Sequence, residues 1–275
     1  MLRRAFLLTA SALFAALAAL PLRAADIDRL YDAVGLPQVL EIMRLEGIAY
    51  GGDLAQDLFD GRGSGRWERM VAEIYDLGEM EAAVRDALAA GLQGADTGAM
   101  LDFFESERGR RIIELEVTAR RALLDDTIED ASRDALDRMI LDEDPMLDKL
   151  ETFVAANDLV DSNVVGAMNS NVAFYTGLAE GGAFPGEMTE SEILSDVWRQ
   201  EPEIRDETEA WLYSYLAMAY KPLPEEDLDA YIAFSESAAG QQLNRALFAA
   251  FDAMFLDISL KLGRAAARFL GGQEL

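Results

Sequence analysis

From Trp67 onward, apolar residues recur at spacings of three and four: Met70, Val71, Ile74, Tyr75, Met80, Val84, Ala87, Leu88 and Leu92. That period places them on one face of a helix, and it predicts one long or bent helix over 66–92, with Gly78 as its possible kink. Asp96 and Thr97 are N-cap candidates for a following helix carrying Met100, Leu101, Phe103 and Phe104, and another is expected from Ser106 to about Leu141. Earlier, Pro37 opens a short helix to about Gly47, and the glycine-rich 51–65 reads as loop with at most one helical turn. Later, helices are expected near 189–200, over 203–220, near 225–236 and over 238–270, separated by the break Pro222-Leu223-Pro224. No stretch alternates as a strand would, so the expected fold class is all-α.

The pattern also repeats. F-x-E-S-x-x-G occurs at Phe103, Glu105, Ser106 and Gly109, and again at Phe234, Glu236, Ser237 and Gly240, a constant offset of 131 residues. The register extends back through Trp67 and Trp198 and Asp96 and Asp227, and forward through Ala119 and Ala250, Asp126 and Asp257, and Arg133 and Arg264. This reads as a tandem duplication. The expected organisation is a signal peptide at 1–25, a first helical repeat at 26–145 and a second at 146–275, each a multi-helix bundle ending in a helix, a turn and a long helix. Within the motif, the serines suit N-caps, the glycines allow close backbone approach, and the phenylalanines plug the preceding helix into the core.

A long amphipathic helix, an acidic turn such as LPEEDLDAYIAF, and F-x-E-S-x-x-G opening another long helix together resemble the DUF2059 family of exported bacterial proteins. The resemblance is clearer in the second copy, because the first has ADTGAMLDFF where an acidic or proline helix start is usual. It implies an all-helical periplasmic domain of unknown function and brings no catalytic residues with it.

Composition narrows the chemistry. Residues 1–25 carry Arg3 and Arg4, an apolar run from Ala5 to Leu20, and Ala24 and Ala25, the layout of a cleaved secretory signal with a mature start at Ala25 or Asp26. Pro21 ends the run too early for a retained membrane anchor. A periplasmic or secreted protein is expected. Neither cysteine nor histidine occurs. That excludes disulfides, thiol nucleophiles, histidine bases and nearly every zinc or copper site, so no cofactor is expected. The net charge of −27 repels phosphate backbones and anionic lipid, which excludes nucleic-acid binding and argues against a membrane surface.

The last helix of each copy carries alanines, then an acid, then an arginine on one stripe, making Asp126, Arg133, Asp257 and Arg264 candidate polar interaction spots. They are expected to be at least partly buried and to pair across helices; the simpler reading is ordinary boundary ion pairs. GRGSGR at 61–66 lacks the strand and lysine of a phosphate loop, and the acids of LDEDPMLD at 141–148 lack the spacing of a calcium loop. WLYSYLAMAY at 211–220 is apolar nearly all round, which suits a central buried helix, a pocket lining or a dimer face, and LFAAFDAMFLDISL could oppose it.

The leading expectation is a non-enzymatic interaction module that binds a protein partner or itself. A carrier for an apolar small molecule is the alternative, which would need an enclosed apolar cavity. A carboxylate hydrolase ranks last, because no second acid pairs convincingly with Asp126 or Asp257.

Overall fold

The computed structural model describes residues 25–59, 64–184, 186 and 188–271, and every regular element among them is helical. The signal-peptide reading of 1–25 therefore lies almost wholly outside the described residues. In chain order the helices are α1 over 25–33, α2 (Leu36–Phe59), α3 (Ser64–Ile74), α4 (Leu77–Gly91), α5 (Thr97–Phe104), α6 (Glu107–Ala122) and α7 (Asp126–Leu141). They continue as α8 (Met146–Ala156), α9 (Leu159–Glu180), α10 (Glu190–Trp198), α11 (Glu201–Tyr220), α12 (Glu225–Glu236) and α13 (Ala238–Leu270).

Three expected boundaries move, each for a local reason. The helix expected over 66–92 breaks at Tyr75 and Asp76, because the Asp76 carboxylate accepts the Glu79 N–H at 2.9 Å and starts α4 afresh. The one expected over 106–141 breaks at 123–125, where Asp125 accepts from Thr127 N and caps α7. Conversely, α2 runs straight through Gly51 and Gly52. A Cβ on Gly51 would lie 2.5 Å from the Val71 side chain, and the Trp67 indole N–H donates to the Gly51 carbonyl at 2.5 Å. Gly51 thus admits α3 instead of ending α2.

The two motif corners share one geometry. Ser106 and Ser237 accept from the N–H groups of Gly109 and Gly240 at 3.0 and 3.1 Å, while their own hydroxyls donate to the carbonyls of Phe103 and Phe234. A Cβ on Gly109 or Gly240 would meet those same carbonyl oxygens at 2.2 or 2.1 Å, so only glycine closes either corner. The corners also meet each other. Phe103 and Phe234 stack with ring centroids 4.3 Å apart, and Phe104 sits edge-on to Phe234.

A division near residue 145 falls between α7 and α8, but the hydrophobic clusters do not follow it. One cluster joins α1 to α5 with Leu243 to Ala267 of α13. The other joins Ile112 and Ala119 of α6 and Met139 of α7 with α8, α11 and α12. Each half thus lends its post-corner helix to the other half's core. α4 runs antiparallel against α13, with Glu79 on Lys261 and Gly91 against Ala246. α11 runs antiparallel against α6, with Tyr220 on Glu116 and Trp211 beneath Arg120. The aromatic runs of α11 and α13 consequently belong to different clusters and do not oppose one another.

The tightest helix pair is α9 with α13. They run parallel, since Asn157 lies by Asn244, Asn169 by Asp252 and Glu180 by Arg264. Glycines let the backbones touch: a Cβ on Gly177 would lie 2.4 Å from the Leu260 carbonyl, and one on Gly263 would lie 2.1 Å from that of Phe174.

Candidate functional site

Helix α6 separates the two most chemically loaded regions. Ile112, Glu116 and Ala119 face α11 and α12, while Ile113 and Val117 point the other way, into a cleft against α1 and α2. A turn of about 100° per residue produces this two-sidedness from adjacent pairs in the sequence.

The cleft has a volume of about 620 Å³. It forms because the α1–α2 turn closes on α6 through Gly35, whose φ of +72° suits glycine. A Cβ there would also lie 2.8 Å from Ile113 Cγ2. Ala33, Phe104, Ile113 and Val117 make an apolar floor, and Phe104 and Glu105 bring the first motif corner to one end. Glu105 is not free: Arg29 grips both its oxygens, Nε to Oε1 at 3.1 Å and Nη2 to Oε2 at 2.7 Å, and Arg29 also reaches Asp26 at 3.2 Å. Arg110 donates to the Glu105 carbonyl. Asp32 and Glu114 on the rim are exposed and form no ion pair among the described residues.

Behind α6, Glu116 is enclosed by tyrosines. Tyr220 donates to Glu116 Oε1 at 2.6 Å, and Tyr215 donates to the Glu116 carbonyl at 3.3 Å. Burial pushes the Glu116 carboxyl up to about 7, although hydrogen bonds from Tyr220 and Tyr231 pull it back. Burial, with the Glu116 charge second, raises all three tyrosine hydroxyls well above their usual value, so they act as donors throughout the accessible pH range. The signal for this site was present in the sequence as an acid on the line Ile112, Glu116, Ala119, Leu123, all on one helical face.

A third polar centre ties the halves together. Asp227, only 7 % exposed, accepts from Arg108 Nε at 2.6 Å and lies 3.5 Å from Arg111 Nη1. Asp227→Asn is expected to lower stability by about 1–2 kcal/mol, below the full cost of breaking a buried pair because both arginines are half-exposed. Urea unfolding of Asp227→Asn, of Arg108→Gln and of the double variant would measure the coupling.

The four stripe residues do not converge. Asp126 is exposed in the first turn of α7, because the break at 123–125 makes it a helix start instead of a mid-helix position. Asp257 is also exposed, its side chain at 60 %, and pairs along its own helix with Lys261. The expectation that these acids are buried is therefore wrong: α13 turns its Met254 and Ile258 inward and leaves Asp257 outside. The arginines do pair across helices, Arg133 with Glu207 of α11 and Arg264 with Glu180 of α9. Of the motif residues, Phe103, Ser106, Gly109, Phe234, Ser237 and Gly240 build the corners, Glu105 lines the cleft, and Glu236 is exposed.

Of the acidic run, Asp144 accepts from Met146 N and starts α8, and no cluster of three or more metal-type side chains occurs among the described residues. GRGSGR falls largely outside the described residues, and its last three positions open α3.

No curated protein and no solved structure matches the chain. A family model described as "Uncharacterized protein conserved in bacteria (DUF2059)" matches residues 78–137, the segment from α4 into α7 that holds the first corner, Glu116 and the α6 wall of the cleft. Over that segment the chain is similar to the DUF2059 family; the second corner lies outside the match.

Proposed function

We propose that the protein is a non-enzymatic helical binding module, exported after loss of its first 25 residues, that engages a protein partner. The observation carrying this reading is the cleft beside α6, which joins an apolar floor to a charged rim and opens to solvent. Such a surface recognises a side chain presented from outside. The chemistry-bearing acid, Glu116, lies on the opposite side of α6 from the cleft, bonded to Tyr220, where no substrate in the cleft reaches it.

The same proposal takes the scaffold as two copies of one helical unit with exchanged closing helices. Three features support it: equal corner geometry, stacking of Phe103 on Phe234, and the reciprocal pairing of α4 with α13 and α11 with α6. Native mass spectrometry of the mature chain from its own cells, followed by a denaturing spectrum, tests the function. A protein adduct is the expected result. A small-molecule mass released on denaturation overturns it in favour of an apolar-ligand carrier.

A further inference from the structure

We infer that the cleft beside α6 is a binding site for a basic aliphatic side chain, lysine or arginine, carried by a partner polypeptide. This rests on the binding-module reading above and specifies the chemistry of its partner.

The helix that follows each motif corner is met by a turn between two earlier helices. The α1–α2 turn at Gly35 and the α8–α9 turn at Asp158 both use a positive φ, +72° and +50°, and each lies against the helix that follows a motif corner. At the second junction the contact is sealed. Gln241, in the position of Arg110, donates to the Ala156 carbonyl at 2.5 Å, and Asn244, in the position of Ile113, donates to the Asn157 carbonyl at 2.7 Å. Two side-chain amides thereby satisfy the turn's carbonyls and lock it onto α13. At the first junction no such bonds occur among the described residues. Ile113 stands in the place of the hydrogen-bonding Asn244, approaches the turn at Gly35 together with Val117, and leaves the cleft of about 620 Å³. One scaffold therefore carries a closed version and an open version of the same joint, and only the open one has an apolar floor under a charged rim.

The charge left unsatisfied on that rim selects the ligand. Of the basic residues, Arg29 is paired with Glu105 and Asp26, while Arg110 donates to the neutral Glu105 carbonyl and keeps its charge. Against that one cation stand two carboxylates without an ion pair among the described residues, Asp32 and Glu114, so the rim is left net acidic. An aliphatic stem lying on Ile113 and Val117 with a cationic head between those carboxylates satisfies both features, and the protein's net charge of −27 steers such a partner inward.

The test uses the full mature chain with labelled isoleucine and valine methyl groups. The probe is a blocked five-residue peptide of alternating leucine and lysine; the control replaces lysine by glutamate. The lysine peptide is expected to shift the Ile113 and Val117 methyl signals saturably, and Asp32→Asn with Glu114→Gln is expected to weaken that binding at least five-fold. Asp134→Asn with Asp137→Asn, exposed acids on α7, should leave it unchanged, which separates the site from general attraction to an acidic surface. Unmoved methyl signals, equal binding of the glutamate peptide, or equal losses in the two double variants would overturn the inference. A protein adduct in the native spectrum combined with any of these would sink the cleft assignment alone. A released small molecule would sink the module reading itself.

Discussion

Gly263→Ala is expected to destabilise the protein by about 2 kcal/mol or more, although alanine is the better helix former. Helix propensity favours the change by roughly 0.5–1 kcal/mol. Against that, the new Cβ would sit 2.1 Å from the Phe174 carbonyl oxygen and 3.0 Å from Leu178 N. Both are backbone atoms, so no rotamer change relieves the overlap and α9 must move off α13. Overpacking of this kind costs about 1–3 kcal/mol, and more where a whole helix shifts. For a chain of this size the loss corresponds to a fall in Tm of roughly 4–8 °C. Gly166→Ala on α9, the helix against which Gly263 packs, is the opposite case, since its nearest neighbour is the Asp252 carboxylate at 4.0 Å. That variant is expected to gain up to about 1 kcal/mol. Paired thermal melts check both signs at once, and a Gly263→Ala protein as stable as the parent would mean the two backbones are not in contact.

The second large effect concerns pH. An unfolded glutamate titrates near 4.5, whereas burial pushes Glu116 up to about 7 in the folded chain. The raised value means that folding favours the protonated form. Its contribution is fully present below about 4.5 and is lost as pH rises through about 7. Glu116 is only partly buried, and discounting for solvent at its edge leaves about 2 kcal/mol between those limits. Glu116→Gln keeps a neutral acceptor for Tyr220 and removes the titration. The variant should match the parent at about pH 4 and exceed it by about 2 kcal/mol at about pH 8.5 in urea unfolding. Parallel stability curves for the two proteins across that interval would show that Glu116 does not titrate there. Subtracting the curves also cancels the repulsion among the other acids, which acts on both proteins alike.

Much of the architecture could be read directly. The ends of α12 and α13 follow from Pro224, Ser237 and the apolar period, and the caps at Asp96 and Thr189 are where polar side chains precede apolar runs. The misread boundaries share one cause, a residue serving two physical uses. Gly51 looks like a loop former but makes room for Trp67 and Val71, and Asp125 and Asp126 look like part of an acidic helix face but form a cap. The cleft was hidden because its walls come from segments about 80 residues apart, Ala33 and Gly35 with Ile113 and Val117. Glu116 was hidden because its tyrosine partners lie about 100 residues further along the chain, Tyr215 and Tyr220 on α11.

The exchanged helices also govern the order in which the molecule can be completed. Leu88 of α4 and Leu92 at its C-cap need the cover of α13, and Lys261 meets Glu79 across 182 residues of chain. A nascent chain ending anywhere before α13 therefore leaves the first cluster open, however well its own helices have formed. Closure waits for the C-terminal segment, and contacts of such long sequence separation are slow to make. Shortening the protein from its C-terminal end would thus undo the N-terminal core first.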